Sequence, residues 1–78
     1  MNFVATFYTH LSALRTARAL EGVGVQAELA PVPRALSSSC GTCVRYSAED
    51  PLLERMDADT EAVYRREEDR YVCLLRNE

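Results

Sequence analysis

Two prolines two positions apart, Pro31 and Pro33, constrain this chain more than any other local feature. Neither can donate to a sheet ladder, so a strand arriving from the N-terminal side must stop there. That strand is visible in the alternation Val25, Ala27 and Leu29 against Gln26 and Glu28, a period of two that marks a half-buried strand. Upstream, Phe3 to Tyr8 reads as a first strand. Thr9 or Ser12 can cap a helix whose apolar stripe is Ala13, Leu14, Ala17 and Leu20, with Arg15, Arg18 and Glu21 on its other side. Gly22 and Gly24 are expected to end that helix in positive backbone angles.

Beyond the prolines, Arg34 to Gly41 shows no periodicity and reads as a loop. Thr42 to Ser47 is rich in β-formers and predicts a third strand, with Cys43 and Arg45 on one face and Val44 and Tyr46 on the other. Ser47 or Asp50 followed by Pro51 predicts a second helix with Leu52, Leu53 and Met56 on its apolar side. After a turn at 57–60, Glu61 to Arg66 and Tyr71 to Leu75 read as strands, hairpinned around Glu67-Glu68-Asp69. The order is β-α-β-β-α-β plus one strand. It predicts an α+β, ferredoxin-like βαββαβ sandwich with an extra C-terminal strand, built as a single domain over residues 1–78. A thioredoxin-like fold fits less well, because there a Cys-x-x-Cys pair opens the helix after the first strand.

Size and charge narrow the function. At 78 residues the chain buries only about 60% of its unfolded surface, which favours self-association, so a homodimer is one expectation. The net charge of −3 argues against general nucleic-acid binding. All nine basic residues are arginine, which removes a lysine Schiff base and leaves planar forks suited to oxyanions. No apolar run reaches the ~20 residues needed to span a bilayer, and residues 1–8 lack the charge and apolar length of a signal peptide. The expected location is the cytoplasm, with no membrane partner.

The three cysteines, Cys40, Cys43 and Cys73, are an odd number, unlike a secreted disulfide scaffold. Cys73, between Val72 and Leu74, reads as a buried small hydrophobe. Cys40 and Cys43 sit in a cysteine loop, residues 31–43, behind Arg34 and three serines. A free cysteine has a pKa of about 8.5, lowered by nearby cations and backbone donors. Arg34 and Arg45 are the candidate cations. Ser38, Ser39 and the Gly41 amide are the candidate donors, and Gly41 allows a tight turn beside the sulfur. Serine hydroxyls also satisfy ordinary turns, and the arginines also fit a solvated surface. Cys43 could resolve an oxidised Cys40 as a disulfide, although side chains three apart in an extended strand point to opposite faces. Zinc would need four ligands, and only Cys73 and His10 remain, so no metal or other cofactor is expected.

The succession Leu20-Glu-Gly-Val-Gly24, Ala30-Pro-Val-Pro-Arg34 and Ser37-Ser-Ser-Cys-Gly41 resembles the selenium/sulfur carrier protein-like family over roughly residues 3–64. The chain departs from the family's pattern at Cys43, where a small or aliphatic residue is expected, and in a longer tail after Tyr64. The resemblance implies a carrier or accessory protein of selenium or sulfur metabolism rather than an enzyme. It implies Cys40 as the carrier thiol, and donor and acceptor proteins as partners. Two other functions stay open: a Cys40/Cys43 thiol–disulfide module, and a non-enzymatic binding or assembly domain.

Overall fold

The computed structural model describes residues 1–77 and shows an α+β protein. Its elements are β1 (Asn2–Phe7), α1 (His10–Glu21), β2 (Ala27–Pro31), β3 (Thr42–Ser47), β4 (Thr60–Glu67) and β5 (Arg70–Arg76), with a 3₁₀ turn at Leu53–Arg55. The strands form one sheet in the order β2-β3-β1-β4-β5, and every neighbouring pair is antiparallel. β1 and β2 therefore run parallel, with β3 inserted between them and α1 making the crossover.

The helix starts where its cap allows. The Thr9 side chain accepts a hydrogen bond from the Ser12 amide at 3.1 Å, satisfying one orphan donor of the first turn. Ala13, Ala17 and Leu20 then face the sheet, against Phe3, Ala5 and Phe7 of β1, Val44 and Tyr46 of β3, and Val63 of β4. Phe3 and Tyr46 stack with ring centroids 5.2 Å apart. Burial pushes the Tyr46 hydroxyl's pKa up, and the hydroxyl is satisfied by donating to the Pro51 carbonyl. Two polar helix residues are also buried. Ser12 donates to the Asp57 carboxylate at 2.8 Å, and the Thr16 hydroxyl accepts the Asp57 amide at 3.1 Å.

Three expectations are corrected. The second helix does not form, so the two-helix ferredoxin-like sandwich is not realised. The Leu52 amide donates to the Asp50 side chain and Leu52 adopts φ +55°, a left-handed residue that breaks a right-handed helix. The stretch is also too short for propagation to repay nucleation. Leu52 and Met56 still pack on the core, so the segment keeps its apolar role without helical geometry. Second, Pro31 does not lie outside the strand but is the last residue of β2. This is an edge strand, where a missing donor costs least. Third, Gly22 keeps a right-handed φ of −63°. The positive angle falls on Gly24, at +82°, after the chain has tightened through bonds from Val23 and Gly24 to Leu20 and Glu21. No helix among the described residues is long and apolar enough to cross a membrane.

Candidate functional site

The loop from Val32 to Gly41 joins the edge strand β2 to its inner neighbour β3. Its mouth is closed by the Val32 amide, which donates to the Gly41 carbonyl at 3.1 Å. A turn follows, in which the Leu36 amide donates to the Pro33 carbonyl at 3.0 Å. The two serines before Cys40 then fasten the loop to the sheet. The Ser38 hydroxyl donates to the Phe7 carbonyl at 3.0 Å, at the end of β1. The Ser39 amide and hydroxyl donate to the two carboxylate oxygens of Glu61, each at 3.1 Å, at the start of β4. Gly41 turns the chain into β3 with φ +75°, and space around it is open.

Cys40 is half-buried, packed against the helix-side core, and its thiol donates to the Thr42 carbonyl at 3.4 Å. The Thr42 hydroxyl shares a 3.3 Å hydrogen bond with His10 Nδ1, at the first residue of α1. The C-terminal end of the loop thus lies beside the N-terminus of the helix. Cys43 is different. It is completely buried, and its thiol donates to the Pro31 carbonyl at 3.6 Å. Burial pushes the Cys43 thiol's pKa up, an effect only partly offset by the Arg45 guanidinium. All three cysteines are free thiols. Cys43 follows the alternation of the face away from α1, whereas Cys40 packs on the helix side. Between them the chain turns at Gly41, outside β3, so the pair is not two positions of one extended strand, and Cys40 is among the groups that add to the rise in the Cys43 pKa.

The remaining expected site residues are dispersed. Arg34 is exposed in the turn and takes no part in the loop's hydrogen bonds. Arg45 points along the Cys43 face and pairs with Glu28 at 3.8 Å. Ser38 and Ser39 are near Cys40, but their hydroxyls hold the loop rather than the sulfur. Cys73 is exposed on β5, which corrects its reading as a buried hydrophobe. Sequence reasoning missed Glu61, whose role depends on a contact spanning 22 residues, and weighed His10 only as a leftover zinc ligand. An open depression of about 500 Å³, lined in part by Asn2, Phe3, Glu21 and Arg66, lies at the other end of β1 and β3, away from the loop.

Comparison with known families adds one decisive finding. Residues 2–64, which include all of this loop and its anchors on β1 and β4, match the family described as putative Se/S carrier protein-like. The chain belongs to this family. The match ends at Tyr64, so the rest of β4 and the whole of β5 lie outside it. No curated protein and no solved structure matches the chain significantly.

Proposed function

We propose that this carrier-family protein holds sulfur or selenium on Cys40, as a persulfide or selenosulfide, between a donor and an acceptor protein. The observation that carries the reading is the contrast within the Cys-x-x-Cys pair. Cys40 is partly exposed in a loop tied to the sheet at Ser38 and Ser39, whereas Cys43 is sealed beneath Pro31. For sulfur, the Cys40 thiolate attacks the terminal sulfur of a donor persulfide. The Cys40–sulfur bond forms, the donor's sulfur–sulfur bond breaks, and the donor cysteine leaves as a thiolate. Delivery repeats the exchange with an acceptor thiolate.

The loop supports this by holding the thiol at the sheet's end. Gly41 adds no side chain beside the sulfur, and Arg34 stands exposed on the rim for an anionic partner surface. The Cys40/Cys43 redox reading is weaker, because a sealed thiol of raised pKa is a poor resolving nucleophile. Incubation with a cysteine desulfurase and cysteine, followed by intact mass measurement, tests the proposal. An added sulfur atom that disappears in Cys40→Ser is expected. Equal loading of Cys40→Ser would overturn it.

A further inference from the structure

The third cysteine lies outside the matched region and has surroundings of its own. In the β4–β5 register Cys73 stands directly opposite Tyr64, and Tyr71 opposite Arg66, so Cys73, Tyr64 and Tyr71 share the face away from α1. Between Val63 and Tyr64 the register shifts, because Leu74 is an extra residue on β5. Regular alternation would place Arg76, three residues after Cys73, on the opposite face. The bulge instead pairs Leu75 with Val63 and Arg76 with Ala62, which turns Arg76 onto the cysteine's face.

The guanidinium uses that position. Its Nη2 donates to the Tyr64 hydroxyl at 3.1 Å, and it lies 6.0 Å from the centre of the Tyr64 ring. Tyr71 meets Tyr64 edge to face, with centroids 6.5 Å apart. The Cys73 thiol is exposed and donates to the Leu75 carbonyl at 3.5 Å. No carboxylate among the described residues pairs with Arg76. The Tyr64 hydroxyl, and after it the Cys73 sulfur, raise the guanidinium's pKa, in keeping with their closeness.

We propose that Cys73, Arg76 and the partly exposed Tyr71 form a second thiol site, its guanidinium positioned by the buried Tyr64, that exchanges with carboxylate-bearing low-molecular-weight disulfides of the glutathione class. Arg76 has donors left for a carboxylate after bonding Tyr64, and its fork suits that group's geometry. Tyr71, partly exposed beside them, gives the ligand an apolar edge. The Cys73 thiolate attacks one sulfur of the bound disulfide. A Cys73–sulfur bond forms, the ligand's own sulfur–sulfur bond breaks, and the second half leaves as a thiolate that takes up the proton Cys73 lost. The oxidant is the small disulfide itself. Cys73 and Cys40 are both free thiols, Cys73 on the face away from α1 and Cys40 packed against the helix-side core. The inference stands independently of the carrier reading of Cys40.

The test uses the full chain carrying Cys40→Ser, treated at pH 7 with oxidised glutathione or with uncharged 2-hydroxyethyl disulfide, and read by intact mass and peptide mapping. One mixed disulfide on Cys73 is expected. Arg76→Gln should slow glutathionylation about fivefold to tenfold while changing the reaction with the uncharged disulfide less than about twofold. A second arm needs no variant at Arg76: esterifying the glutathione carboxylates should slow the reaction by a similar factor. Failure of Cys73 to react overturns the proposal. So does an equal loss with both disulfides, or indifference to esterification.

Discussion

Glu61 is the residue on which the Cys40 loop depends most. Its carboxylate accepts both the amide and the hydroxyl of Ser39, each at 3.1 Å, and among the described residues no other hydrogen bond ties the residue before Cys40 to the sheet. A hydrogen bond to a charged acceptor contributes about 1.5–3 kcal/mol when protected, but this pair is exposed and solvent competes for it. About 1 kcal/mol for the two together is the appropriate scale, which is roughly a fivefold change in the equilibrium between closed and open loop. Glu61→Ala in a Cys73→Ser chain should therefore raise the rate at which an aromatic disulfide reagent labels Cys40 by about fivefold. Glu61→Gln keeps one acceptor oxygen and should fall between. Cys43, being sealed, should stay unlabelled in both. An unchanged rate in a folded Glu61→Ala chain would refute the clamp. Cys43 labelling in step with Cys40 would show global opening instead.

Cys43→Ala should cost about 1–2 kcal/mol in denaturant unfolding at pH 7, from lost burial, and leave sulfur loading of Cys40 intact. The folded pKa of Cys43 is raised, so its stabilising contribution is complete below the unfolded value of about 8.5 and is lost as pH rises. The same variant should therefore flatten the decline in stability above about pH 8.5. Asp57 has the opposite sign. The Ser12 hydroxyl holds its carboxyl below the usual range, so its contribution is present above pH ~4 and lost as pH falls through the lower folded value. Asp57→Asn should flatten the acid limb of a thermal-melting series. Gly41→Ala meets no neighbouring atom but forces a side chain into φ +75°, and should cost about 1 kcal/mol of stability.

What the sequence revealed follows the range of the forces involved. β3 spans Thr42–Ser47 as its composition suggested, and α1 starts at the Thr9 cap with Ala13, Ala17 and Leu20 inward, because those signals are local. The second helix failed because Leu52 and Met56 are apolar for packing, while the Asp50 cap set Leu52 into a left-handed turn. Pro31 was placed outside its strand because the rule against proline applies to inner strands, and which strands are edges is a property of the whole sheet. The family was legible in the sequence, but the Ser39–Glu61 clamp was not. It joins residues 22 apart through pairing that no local pattern encodes. Likewise, the exposure of Cys73 follows from β5 being the outer strand and from the face its side chain takes, neither of which its apolar neighbours record.

The most direct test of the carrier account is to load the unmutated chain from a persulfide or selenium donor and locate the added atom by fragmentation mass spectrometry. The account predicts the chalcogen on Cys40, with Cys43 unmodified. An added atom found on Cys43, or confined to Cys73, would contradict it.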